Sequence, residues 1–113
     1  MKEKLIAELQ KFGYPVFLQG SLNPAQNYPD SFITFWTDDV LDGSHYDNDI
    51  KSFVWDFSVI FYSQNPLLVD SKSLEIRNAL KAAGFIPQGK GRDVPSDETT
   101  HTGWQQDFYF IEY

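Results

Sequence analysis

At 113 residues the chain is the size of one domain, residues 1–113, and would bury roughly two-thirds of its unfolded surface, enough for a core without metal or disulfide support. Nine Lys and Arg against sixteen Asp and Glu give a formal charge of −7, and the bases are scattered, which argues against a phosphate-backbone surface and a direct nucleic-acid partner. Cysteine is absent, so disulfides, thiolate metal sites and thiol nucleophiles are excluded, and a reducing compartment is expected.

Residues 1–12 are charged and amphipathic, unlike a signal peptide, and no apolar run approaches the ~20 residues that span a bilayer, so a soluble protein with no membrane partner is expected. In residues 2–12, Leu5, Ile6, Leu9 and Phe12 form one apolar stripe of a helix that Gly13 ends. Residues 14–19 alternate as a short strand, with Pro15 favouring an edge or first position. A loop follows over residues 20–30, punctuated by Asn23-Pro24 and Tyr28-Pro29.

Residues 31–37 return to strand chemistry, and residues 38–50 are predicted to be a polar loop, with five acids and no Lys or Arg. The most informative segment comes next. Phe53, Trp55, Phe57, Val59 and Phe61 alternate with Val54, Asp56, Ser58, Ile60 and Tyr62, which reads as a long central strand with one apolar and one mixed face. Gln64-Asn65-Pro66 breaks that pattern, and Asp70 or Ser71 is predicted to cap a second helix whose inward stripe is Ile76, Ala79, Leu80 and Ala83, closed by Gly84. Phe85 and Ile86 begin another strand, residues 88–103 read as a long polar loop, and residues 104–113 alternate as a final strand.

The order α-β-β-β-α-β-β predicts an α+β fold, a mostly antiparallel twisted sheet of about five strands with two helices packed on one face. Aromatics make up 17 % of the chain and fall on both sides of at least three strands, whereas each helix offers one stripe of about four apolar residues. The helices are therefore expected to leave the second sheet face undersupplied, and self-association would cover it.

Candidates for chemistry are few. Asp38, Asp39, Asp42, Asp47 and Asp49 lack the 1, 3, 5 ligand order, the Gly and the distal Glu of a calcium loop, so a solvated acidic loop is expected rather than a metal site. His45 and His101 lack any metal-ligand spacing and read as exposed. Gly89-Lys90-Gly91-Arg92 lacks the phosphate-loop pattern and reads as a glycine turn. Ser96, Asp97, Glu98 and His101 hold the residue types of a nucleophilic triad but no nucleophile elbow, so no enzyme activity and no cofactor are expected.

Over more than half its length the chain resembles a known family. The run WDFSVIFYSQNP, the helix ending LKAAGF, then GKGRDVPSDETTHTGW and the last aromatic strand, together with FITFWTDDVLDGSHY, are similar to small tail terminator or tail completion proteins of long-tailed phages and prophages of Gram-positive bacteria. The resemblance implies a structural role: a ring, commonly a hexamer, at the head-proximal end of the tail tube, which stops tube growth and joins the head, with no reaction or cofactor. The implied partners are the chain itself, the tail tube protein and a head-completion protein, and the implied location is the virion tail after assembly in the host cytoplasm.

On that reading the contact surfaces are expected at Asp38, Asp39, Asp42, His45, Tyr46, Asp47 and Asp49 in one loop, and at Lys90, Arg92, Asp93, Asp97, Glu98, His101 and Trp104 in and beside the other, where rim charges steer assembly. Sheet edges and the second face are the competing contacts. Two other classes compete with this one. One is a small ligand-binding module that stacks a planar ligand on Tyr14, Tyr28, Trp36, Tyr46 or Trp104; the other, weaker, is a metal-assisted nuclease built on the scattered acids and histidines.

Overall fold

The computed structural model describes residues 2–18, 31–46, 49–94 and 101–112, with residues 18, 39–46 and 49–52 described by their backbone alone. Two helices, α1 (Lys2–Gln10) and α2 (Pro66–Ala82), accompany six strands: β1 (Val16–Leu18), β2 (Ser31–Tyr46), β3 (Asp49–Ser63), β4 (Ile86–Pro87), β5 (Arg92–Val94) and β6 (Thr102–Glu112). The strands lie in the order β1-β2-β3-β6-β4, with β5 also paired to β6. All pairings are antiparallel except β1 with β2. The expected α+β architecture is therefore present, with one strand more than the sequence indicated.

The pattern of residues 53–62 makes β3 central, since β2 pairs along its whole length and β6 along residues 53–63. Its apolar face carries the core: Phe57, Val59 and Phe61 are buried with Ile33 and Phe35 of β2 and Phe108 of β6. Leu5 and Leu9 of α1 and Val69, Ile76 and Leu80 of α2 close over them. Both helices thus lie on one face. No helix among the described residues is long and apolar enough to cross a membrane.

Three boundaries differ from the sequence reading. First, residues 38–46 are not loop but the far half of β2, paired with β3 up to Tyr46↔Asp49. Register shifts between Thr37 and Asp39 and between Asp42 and His45 reset the two-residue alternation, and that hides strand character among the acids. The partner strand supplies the order.

Second, α2 begins at Pro66 and not at Asp70 or Ser71. Asn65 caps it by accepting from the Leu67 backbone N–H at 3.1 Å, and Pro66 occupies the first turn, where its missing N–H is harmless. The Asn-Pro pair that looked like a strand breaker is a helix start. At the other end, Phe85 N–H reaches Leu80 O (2.9 Å) and Gly84 N–H reaches Lys81 O (3.2 Å), a paired closure that places Gly84 at φ +102° as expected.

Third, the stretch 88–103 is not one loop. Arg92–Val94 pairs with β6 as β5, and β6 itself starts at Thr102. Isolated three-residue strands carry too little alternation to be read from sequence.

The second sheet face is more closed than its composition implied. Phe32, Ile60 and Tyr62 are buried there, with the Phe32 and Tyr62 rings 5.0 Å apart and Phe17, Trp36 and Val94 packed around them. Gly103 makes room for this cluster, because a Cβ on it would come within 2.6 Å of the Tyr62 ring. Apolar side chains remain exposed elsewhere: Phe53 and Ile111 near the far end of β3 and β6, and Leu67 and Leu74 on α2.

Candidate functional site

Successive residues of β6 point to opposite faces, and that alternation builds two polar patches on one strand. Gln105 and Asp107 face away from the helices; Trp104 and Gln106 face α2.

On the open face, Ser58 is 1 % exposed and its hydroxyl lies between two carboxylates, Asp38 Oδ2 at 2.5 Å and Asp107 Oδ1 at 2.8 Å. Gln105 donates to both Ser58 Oγ (3.3 Å) and Asp107 Oδ1 (3.2 Å). Arg92 donates to Asp107 Oδ2 at 3.2 Å, and the Trp36 indole donates to Asp38 Oδ1 at 2.6 Å. A hydroxyl has one proton, so Ser58 serves one carboxylate at a time. The network fixes three strands and β5 to one another through charge-assisted hydrogen bonds.

Burial pushes the Asp107 carboxyl upward, but hydrogen bonds from Ser58, Gln105 and Arg92, together with the Arg92 charge, outweigh it and hold the group below its ordinary 3.8. A lowered folded value means the stabilisation is fully present above the unfolded pKa of about 3.9 and is lost as pH falls through the folded value. The expected result is that acid unfolding monitored by near-ultraviolet circular dichroism moves to higher pH in Arg92→Gln. An unchanged acid midpoint would show that Arg92 does not hold this carboxylate.

On the helix side, a groove of about 330 Å³ opens between the middle of α2 and β6. Asp70, Ser73, Leu74 and Arg77 line it from the helix, Trp104 and Gln106 from the strand, and Lys90 from the turn between β4 and β5. The Trp104 indole donates to Lys90 O (2.9 Å) and the Gln106 amide donates to Ser73 O (2.8 Å), so both walls are fixed to the sheet. The Ser73 hydroxyl and Arg77 Nε are buried and have no hydrogen-bond partner. Buried polar atoms are seldom left so, which marks the groove as chemically unfinished.

The predicted contact residues separate into groups. Asp38 joins the Ser58 network. Asp39, Asp42, His45, Tyr46 and Asp49 lie on the β2–β3 hairpin by backbone, while Asp47, Asp97 and Glu98 fall outside the described residues. Lys90 and Trp104 line the groove, Arg92 pairs with Asp107, and Asp93 is exposed on β5.

His101 contradicts its expectation. It is 6 % exposed, with its ring 5.7 Å from that of Phe32, and is core rather than contact surface. The strand that begins at Thr102 draws it inward, which a polar flanking sequence conceals. Among the aromatics weighed as a stacking platform, Tyr14 packs edge-on against Phe61 at 5.2 Å, and the Trp36 and Trp104 indoles are engaged in hydrogen bonds. Tyr28 lies outside the described residues, and Tyr46 is described by backbone alone.

Glycines 89 and 91 both take positive φ in the β4–β5 turn, as read. No three His, Asp or Glu residues converge as a metal-ligating group among the described residues.

Ser58, Ser73, Arg77, Gln105, Gln106 and Asp107 were not singled out from the sequence. The available signals were the polar residues inside otherwise aromatic strands and Ser73 in the helical stripe Val69, Ser73, Ile76, Leu80. No protein-family model matches this chain, and no curated protein sequence matches it.

Proposed function

We propose that the protein is a structural subunit of a phage or prophage tail. It forms a homo-oligomeric ring, hexameric by the resemblance, at the head-proximal end of the tail tube, where it ends tube growth and joins the head. Its partners on this reading are copies of itself, the tail tube protein and a head-completion protein, and it works without cofactor or reaction.

The observation that carries this reading, beside the sequence likeness, is the far half of the β2–β3 hairpin. β6 pairs with β3 only as far as Phe53↔Glu112, while β2 and β3 continue to Tyr46↔Asp49. Among the described residues no third strand flanks that extension. A two-stranded ribbon is marginal in water, so docking on a neighbour is the natural source of its stability. Exposed Phe53 and Ile111 at its base add apolar surface of the kind that subunit contacts cover. The five acids of residues 38–50 set register and encounter rate more than affinity.

Tail tubes assembled from tube protein in the presence and absence of this chain provide the test by electron microscopy. The expected result is a ring on one end of each tube and shorter tubes when the chain is present during assembly. Bare tube ends with unchanged lengths would refute the proposal.

A further inference from the structure

We propose that the groove between α2 and β6 is a receptor for carboxylate side chains, and that its occupant is the acidic segment 38–50 of a second copy of this chain. The inference rests on the ring-forming reading above and gives that ring a specific contact.

The receptor's chemistry follows from which valences are already used. Gln106 is committed to Ser73 O and the Trp104 indole to Lys90 O. What remains without a partner is the hydroxyl of Ser73, a residue 4 % exposed, and Arg77 Nε, with exposed Lys90 also on the lining. Neither Arg77 nor Lys90 belongs to an ion pair among the described residues, whose pairs are Lys11–Glu8, Lys72–Glu75 and Arg92–Asp107. Asp70 is the one acid on the lining, so two cations face one anion in a chain of net charge −7. A guanidinium edge beside a buried hydroxyl is a donor pair suited to a carboxylate. The volume of about 330 Å³ admits one or two side chains rather than a large ligand.

The occupant follows from charge and reach. Residues 38–50 hold five acids and no Lys or Arg. The hairpin end of that segment, from Asp42 to Asp49, cannot reach its own groove, because Trp104 stands opposite Phe61 whereas the hairpin closes at Tyr46↔Asp49; Asp38, held by Ser58 in mid-sheet, is not part of that end. From Asp49 to Phe61 along β3, at about 3.3 Å per residue, is about 40 Å. The molecule is 53 Å in its longest dimension, so the hairpin end of the acidic segment and the groove occupy opposite ends. A contact between opposite ends of identical subunits is heterologous, and closes into a ring when its rotation permits.

The experiment follows the Trp104 indole N–H resonance of the full chain while a cyclised peptide with the sequence of residues 38–50 is added. The expected result is a saturable shift that weakens several-fold between 50 and 200 mM salt, because the contact is ionic. Arg77→Gln combined with Lys90→Gln should bind the peptide at least tenfold more weakly with an unchanged melting temperature. No shift in the wild-type chain, equal binding by the double variant, or equal binding of a peptide whose five Asp are replaced by Asn would each overturn the inference. The same shift from free acetate at the peptide's concentration would also overturn it, by assigning the groove to small carboxylates.

The parent reading is tested apart from this. Rings that still cap tail tubes with Arg77→Glu and Lys90→Glu would overturn the groove contact and leave the ring standing. Absence of rings with the wild-type chain would remove the ring, while the peptide titration still decides the groove.

Discussion

Replacing Phe57 by alanine is expected to lower the melting temperature by roughly 10–20 °C. Phe57 is fully buried at the middle of β3, its ring stacked on Trp55 at 5.8 Å and set edge-on to Phe85 at 6.1 Å. Its cross-strand partners are Thr37 and Phe108, so it sits where three strands meet the helices. Truncating a buried Phe removes transfer free energy and leaves a cavity that close-packed neighbours only partly fill, at about 3–5 kcal/mol. That is a large share of the ~5–15 kcal/mol that holds a typical domain, and about 4 °C accompanies each kcal/mol at this chain length. Leu74→Ala, at a side chain 57 % exposed, should shift stability by about 0.5 kcal/mol or less. Thermal and urea unfolding of both variants decide the matter; a Phe57→Ala loss below about 1 kcal/mol would mean that the core is not built around this strand.

Gly91→Ala is expected to cost on the order of 3 kcal/mol and to act locally, lifting the β4–β5 turn from β6. Gly91 has φ +98°, a region that costs an L-residue about 1–2 kcal/mol. A Cβ there would also collide with the Trp104 indole nitrogen and the Gln105 backbone carbonyl. The carbonyl belongs to β6 and cannot swing away without breaking the sheet, so the turn must move instead. Gly89 separates the two effects, because it has nearly the same φ, +89°, and open space where its Cβ would be. Gly89→Ala should therefore show the conformational cost alone. Hydrogen exchange should report lost protection at residues 92–94 in Gly91→Ala while residues 57–61 stay protected. Equal effects from the two substitutions would mean that the collision is relieved elsewhere. Because the same turn carries Lys90, Gly91→Ala should also weaken the proposed carboxylate groove.

These two sites show different degrees of legibility. Phe57 could be chosen from the sequence, since its place in a run of alternating aromatics requires a buried face. Gly91 could be recognised as a turn residue but not as a contact, because the atoms it must avoid lie thirteen and fourteen positions later in the chain. The same divide runs through the candidate site. Lys90 and Trp104 were named from sequence, yet their meeting with Ser73 and Arg77 depends on how α2 crosses the sheet. Asp38 was named as a loop acid; its approach to Ser58 and Asp107 depends on the pairing of three strands.

By itself the sequence determined the central strand, the inward stripe of α1 and the Ile76 and Leu80 part of that of α2, the glycine closure of α2 and the α+β class, because these follow from side-chain periodicity and single-residue backbone preferences, which are local. Only the tertiary structure decided that the acids of residues 38–46 are strand, that His101 is core and that β6 splits its polar residues between two patches. The physical reason is that cross-strand pairing, bulge placement and burial are set by partners distant in the chain, and no local pattern encodes which partner arrives.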